Sequence, residues 1–293
     1  MLRAQLSSHR EILHDGFVFS QSNLQDYRDC PRRFQLRYLK RLAWPALQTQ
    51  EMIETERLLD HGNRFHQLAQ QYWMGLDIER LNESIHDEDL LRWWENFITY
   101  VQSSLGVEGL VFPSDLFPEV NLSTPIGKYR LVAKFDLVAR RTDGKWLIID
   151  WKTAKKRLSN QWYGERLQTS VYPYLLIQAG AEINAGEKII PNQIAMAYWF
   201  CDHPQNPAWF PYSQMKYEAD QEFLKVMIKQ IANTDGESFQ KTENEKSCAF
   251  CVYRSLCERG DKAGTLDDFD SFGEGEPQVD FDVDFDQIQE IEF

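Results

Sequence analysis

The 293-residue sequence predicts an α/β domain with a central mixed β-sheet flanked by helices, and three observations carry that prediction. Apolar residues recur at helical spacing through most of the first third. From Leu116 the texture changes to short segments rich in Val, Ile, Leu and aromatic residues, separated by turn signals. Beyond Asp150, helix-like and strand-like stretches alternate to about Asn233, a pattern that lays helices over the faces of a sheet. With 43% hydrophobic and 13% aromatic residues, the chain can pack a core without disulfide staples.

Ser22 and Gln25 form a capping-box pattern, and Leu24, Tyr27, Phe34 and Tyr38 partly follow helical spacing. A helix is therefore predicted from about Asn23 to Leu39, bent near Pro31, with Cys30 inside it. Amphipathic stretches follow from about Leu47 to Trp73 and from about Asp87 to Leu105, the latter holding Trp93, Trp94, Phe97 and Val101. The segments FPEVNLS, KYRLVAKFDLVARR and KWLIIDWK read as three successive strands of a meander, with the turn Thr-Asp-Gly before the last. Next come a helix from about Gln161 to Ala179, a strand over 192–200, and a helix from about Gln214 to Asn233. No internal repeat is visible.

Residues 1–21 read as an N-terminal extension and 22–264 as the domain. Its helical part runs to about 110, its α/β part spans about 111–240, and a cysteine cluster lies at 248–257. Residues 265–293 carry eleven Asp and Glu and no Lys or Arg, so they account for most of the net charge of −13 and read as a disordered acidic tail. The body is close to neutral. Its cations are clustered in RDCPRRFQLRYLKR (28–41) and KTAKKR (152–157), patches that suit a polyanion or, individually, an ordinary solvated helix face. No segment approaches the roughly 20 consecutive apolar residues of a spanning helix, and no basic leader followed by an apolar run opens the chain. A cytoplasmic protein with no membrane contact is expected. In that compartment five cysteines, three of them at Cys248, Cys251 and Cys257, point to a metal site rather than a disulfide framework. Cys201, in IAMAYWFC, reads as a buried thiol.

In KWLIIDWK the two-residue period puts Asp150 and Lys152 on one face of the strand with Ile148, and turns Trp151 to the other. Asp136 interrupts an apolar run on the preceding strand, where an ionised carboxylate needs a compensating cation. Two carboxylates from neighbouring strands can hold Mg²⁺, and Lys152 could steer water or stabilise charge on a phosphate. A salt-bridged pair on an exposed edge strand is the plainer reading of Asp150 and Lys152 alone. Gln168 and Tyr172 share a helix face, and His66, four residues after Gly62, could supply an imidazole ligand or simply pack.

Taken in order, G-x-x-x-H, F-D, I-D-W-K and Q-x-x-x-Y resemble the signature of the RecB-like branch of the PD-(D/E)XK nucleases, over about Ser22 to Arg259. The resemblance implies a restriction-endonuclease-like fold and a deoxyribonuclease using Mg²⁺ or Mn²⁺. Residue by residue, it implies that His66, Asp136, Asp150 and the backbone carbonyl of Trp151 bind the metal, that Lys152 is the catalytic lysine, and that Gln168 and Tyr172 form the motif that follows. Glu119 is a loosely matching further acid. One Cys in C-P-x-x-F, here Cys30, with Cys248-x-x-Cys251-x5-Cys257, resembles a subset that includes the CRISPR-associated adaptation nucleases and the AddB nuclease domain, and so implies a [4Fe-4S] cluster. Four thiolates would suit a tetrahedral Zn²⁺ as well. The implied substrate is single-stranded DNA or DNA ends, in repair, recombination or CRISPR adaptation. The tail ends DVDFDQIQEIEF, similar to the acidic, Phe-terminated tip of bacterial single-strand-binding proteins but without Pro before the last Phe. It could recruit a helicase, repair or CRISPR adaptation protein, fold back over basic surface, or serve solubility. The alternatives to a nuclease are a catalytically silent nucleic-acid-binding module whose acidic tail recruits a partner, and a zinc-stapled scaffold.

Overall fold

The computed structural model describes residues 12–14, 16–43, 50–103 and 113–260, so most of the expected N-terminal extension and the acidic tail lie outside the described residues. Within them the chain is a mixed α/β domain. A five-stranded sheet has the order β2-β5-β6-β7-β8, from β2 (Pro113–Pro118), β5 (Leu137–Arg141), β6 (Trp146–Lys152), β7 (Ile194–Phe200) and β8 (Ala208–Pro211). The β6 and β7 strands run parallel and the other neighbours antiparallel. A three-stranded sheet has the order β1-β4-β3, from β1 (Val18–Ser20), β4 (Tyr129–Lys134) and β3 (Asn121–Ile126).

The expected meander is present, but its first two strands are each cut in two. The Glu119 N–H donates to the Asp136 carbonyl at 3.1 Å and the Phe135 N–H to the Val120 carbonyl at 2.9 Å, so the ladder passes through a bend that turns one ribbon from the first sheet into the second. Glu119 takes φ +54° there, a left-handed backbone that side chains disfavour. Period-two patterning reads straight through the bend because odd-numbered positions stay apolar, although Tyr129, Leu131, Ala133 and Phe135 face one core and Leu137 and Ala139 the other.

The first predicted helix is likewise divided. Helix α1 (Gln21–Asp29) is capped by Ser20, whose Oγ accepts from the Asn23 N–H at 3.3 Å while Asn23 Oδ1 accepts from the Ser20 N–H at 2.9 Å. The box therefore lies two residues before the Ser22 and Gln25 expected from the pattern. Cys30 is not helical: its φ −160° and ψ 101° are the extended backbone that a following proline imposes. Pro31 then opens a short α2 (Pro31–Phe34), continued by a π-helical turn over Gln35–Leu39. The long helices stand as expected, α3 at Gln50–Trp73 and α5 at Glu88–Ser103, with a short α4 (Ile78–Glu83) between them. The crossover that parallel β6 and β7 require is made by α6 (Asn160–Glu165) and α7 (Gln168–Ala179), where a single helix was predicted. Arg166, at ψ 143°, separates the two. Helix α8 (Gln214–Asn233) has its predicted bounds.

Both faces of the larger sheet are covered. Trp146 and Ile148 of β6 join Met196, Tyr198 and Phe200 of β7 in a core shared with α1, α7, α8 and the smaller sheet. Leu147, Ile149 and Trp151 face the other way, against Phe65, Trp93, Trp94 and Phe97 of α3 and α5. Every residue of β6 is buried, which is why WLIIDW reads as an almost unbroken apolar run.

Candidate active site and cysteine pocket

The C-terminal end of β6 presents Asp150 and Lys152 to the first of these cores, and α7 begins beside them with Gln168. The Gln168 amide bridges the pair: its Nε2 donates to Asp150 Oδ1 at 2.6 Å, and its Oε1 accepts from Lys152 Nζ at 2.9 Å. Lys152 Nζ also lies 3.0 Å from Asp150 Oδ2. Asp150, Lys152 and Gln168 are only 3%, 5% and 2% exposed, so the plainer reading of an exposed edge-strand salt bridge does not hold. Buried charges of this kind are tolerated only when paired and hydrogen-bonded. Burial pushes the Asp150 carboxyl up to about 6 against the pull of Lys152, with Asp136 adding to the rise.

The bend in the ribbon delivers Asp136. Its Oδ2 accepts the Trp151 backbone N–H at 2.8 Å, and its Oδ1 lies 3.3 Å from His66 Nδ1, brought in by α3. Burial alone would raise the Asp136 carboxyl, but His66 and the Trp151 N–H hold it below its ordinary value. Burial opposes the charged imidazole of His66, yet Asp136, Asp150 and Glu119 together keep its pKa raised. Glu119, across the bend, is paired with Lys134, and burial pushes its carboxyl up. Tyr172, one turn after Gln168, packs its ring on Phe135 at 4.7 Å between centroids. Trp151 leaves only its backbone at the site, since its ring stands against Phe97 at 5.2 Å in the opposite core.

His66, Asp136, Asp150, Lys152 and Gln168 thus meet from α3, the bend, β6 and α7. Among the described residues no three His, Cys, Asp or Glu side chains form a preformed cage for a single ion. Here the imidazole is engaged with Asp136 and the ammonium with Asp150. The donor set nevertheless fits a hard divalent cation. Two carboxylates and an imidazole converge, and buried Asp150 Oδ2 has no hydrogen bond of regular geometry, only the adjacent ammonium. Two neighbours were not legible as site residues in the sequence. Tyr198 lies opposite Asp150 through the β6–β7 register, and Thr169 arrives with Gln168 at the start of α7.

Part of the basic patch over 28–41 is engaged internally, while Arg28, Lys40 and Arg41 are exposed. Arg33 Nε lies 2.7 Å from Asp26 Oδ1 and Arg37 Nη1 lies 2.8 Å from Asp26 Oδ2, while Tyr38 donates to the same carboxylate at 3.1 Å. Asp26 is 2% exposed, so these cations compensate a buried acid before they can meet any polyanion. In the second patch Lys152 belongs to the site, and Arg157 donates to the Asn206 carbonyl at 2.7 Å.

Cys30, Cys248, Cys251 and Cys257 line one pocket, with Arg33, Lys241 and Arg259 in its wall. Cys201 lies elsewhere, fully buried in the second core. Burial, together with the neighbouring thiols, raises Cys248 and Cys257, and it pushes Cys251 up to about 11. Nearby cations work against that rise: Arg33 beside Cys248 and Cys251, Arg259 beside Cys248 and Cys257, and Lys241 beside Cys257. The two chain regions are also joined by hydrogen bonds: Arg32 N–H to the Gln240 carbonyl at 3.1 Å, Arg33 to the Ser247 carbonyl at 3.4 Å, and Tyr253 hydroxyl to the Leu42 carbonyl at 3.0 Å.

No curated protein matches the chain. Among solved structures, the protein SSO0001 is similar over 84% of this chain and 87% of its own, at 13% identity and a TM-score of 0.40. A candidate exonuclease from Eubacterium rectale is similar over 79% of this chain and 86% of its own, at 10% identity and a TM-score of 0.47. The model of one family matches residues 18–258, which span both sheets, every residue of the buried site and all four pocket cysteines, and the chain therefore belongs to the PD-(D/E)XK nuclease superfamily.

Proposed function

We propose that the protein is a metal-dependent deoxyribonuclease of the RecB-like branch, acting on single-stranded DNA or DNA ends in repair, recombination or CRISPR adaptation. The observation that carries this reading is the buried Asp150, Lys152 and Gln168 arrangement beside the Asp136 and His66 pair. A purely structural salt bridge would not need a second carboxylate and an imidazole at the same place.

Nucleases of this superfamily generally use Mg²⁺ or Mn²⁺. His66, Asp136, Asp150 and the Trp151 carbonyl would hold the ion, which when bound neutralises phosphate charge and lowers the pKa of water. Lys152 holds a proton-bearing Nζ, fixed by Asp150 and Gln168, toward the place where negative charge grows on the scissile phosphate as water attacks in line. Gln168 keeps the carboxylate and the ammonium in register. Tyr172 braces the helix against Phe135, next to Asp136.

The four-cysteine pocket is assigned to a [4Fe-4S] cluster. Supporting this, the four cysteines line one pocket together with Arg33, Lys241 and Arg259. A [4Fe-4S] cluster held by four thiolates carries net negative charge, which such cations would offset. It would staple the Cys30 segment to the C-terminal one. Recruitment of a helicase, repair or CRISPR adaptation protein is assigned to the acidic tail, on its sequence alone.

The test is cleavage of end-labelled single- and double-stranded DNA with Mg²⁺ or Mn²⁺ by anaerobically purified protein, with Asp150→Ala alongside. Metal-dependent products absent from the variant support the reading. Binding without cleavage by folded, cluster-loaded wild-type protein would instead make it a nucleic-acid-binding module.

A further inference from the structure

We propose that Tyr198, on β7, is a positioning residue that holds Lys152 with the face of its ring and Gln168 through its hydroxyl; the role rests on the nuclease reading above. Parallel pairing sets Tyr198 opposite Asp150, so both point to the same face of the sheet. That register puts Lys152 Nζ 4.8 Å from the centroid of the Tyr198 ring. The negative face of an aromatic ring attracts an ammonium, and the attraction grows when both are removed from water. Tyr198 is fully buried and Lys152 is 5% exposed.

The ring has little room to swing. Tyr163 lies 5.1 Å and Phe210 5.7 Å from it, between centroids. Its hydroxyl is 2.7 Å from Thr169 Oγ1, which itself donates to the Tyr163 carbonyl at 2.7 Å. A threonine hydroxyl has one proton to give, so Tyr198 is the donor in the first of these bonds. Thr169 directly follows Gln168, and the bond therefore fixes the first turn of α7 relative to β7. One side chain thus sets both groups that contact Asp150.

The ring and the hydroxyl separate experimentally. Tyr198→Phe keeps the ring, whereas pentafluorophenylalanine at 198 keeps the shape and reverses the ring's charge distribution. Relative to Tyr198→Phe, the fluorinated variant is expected to lose roughly tenfold in kcat with KM, DNA affinity and Tm unchanged. Equal kcat in the two would overturn the ring's role. Thr169→Val and Tyr198→Phe should lower kcat to a similar extent, without adding when combined, if the hydroxyl acts through Thr169. Additive losses would overturn that half.

A second readout does not depend on cleavage. With selectively labelled lysine, the Lys152 ε-methylene signal should be shifted upfield by the ring in wild type and Tyr198→Phe, and the shift should be lost in Tyr198→Leu. A wild-type signal at the ordinary lysine position would overturn the contact itself. If that shift is present while wild-type protein cuts no nucleic acid, the nuclease reading fails and the contact stands.

Discussion

The candidate site concentrates charge in a few side chains that are removed from water. Asp150, Lys152 and Gln168 form a set of short contacts in which the Gln168 amide joins the carboxylate to the ammonium, and such sets fail when one member is removed. Lys152→Ala is expected to reduce cleavage at least about 100-fold while leaving DNA binding largely intact, as judged by single-turnover rates and by titration of labelled DNA. Loss of binding as well would point to misfolding. Under the proposed function proton and metal would compete at the same donors: Asp136 holds His66 above its ordinary pKa, and burial pushes Asp150 up to about 6. A divalent ion needs both deprotonated, so affinity for Mn²⁺ should weaken as pH falls through that range and binding should release protons. Calorimetry in buffers of differing ionisation heat reads both effects, and a pH-independent Kd would contradict them.

Among the elements, the buried carboxylate of Asp26 joins α1 to α2 and the π-helical turn through Arg33, Arg37 and Tyr38. Asp26→Ala removes the buried carboxylate that Arg33 and Arg37 share, although Arg33 keeps Asp29 at 3.2 Å. It should cost about 3–5 kcal/mol, measured by urea denaturation, far more than a surface salt bridge of about 0–1 kcal/mol. On the other face of the sheet, Phe97 of α5 touches the rings of Phe65, Tyr72, Trp73, Trp94, Trp151 and Trp199. Phe97→Ala should destabilise by about 3–5 kcal/mol, and because Trp151 neighbours Asp150 it should also weaken activity in protein that remains folded.

For the molecule as a whole, the site and the cysteine pocket answer different needs. The site is assembled from α3, the bent ribbon, β6 and α7, whereas the pocket ties residues near Cys30 to the last described segment, 240–259. Removing one of these cysteines should therefore loosen the whole domain more than it alters chemistry. Cys248→Ser is expected to lower Tm, to reduce bound iron and to bleach any visible absorbance. Metal analysis of the same sample separates iron from zinc, and a stable, iron-free but fully active variant would rule out the staple. No helix among the described residues is long and apolar enough to cross a membrane.

The sequence by itself determined the fold class, the long helices and the pairing of Asp150 with Lys152, because hydrophobic periodicity reports which face of an element is buried. It also located all four pocket cysteines, Asp136 and His66 through spacing and resemblance. What it did not determine were the places where regular elements stop: the bend at Glu119 and Asp136, the break at Cys30, and the division of the crossover at Arg166. These depend on backbone geometry and distant hydrogen bonds, which leave the apolar pattern unchanged. Nor could it foresee that Arg33 and Arg37 compensate Asp26, or that Tyr198 sits over Lys152. Such pairings join residues far apart in the chain, and only strand register and helix packing decide which charges meet.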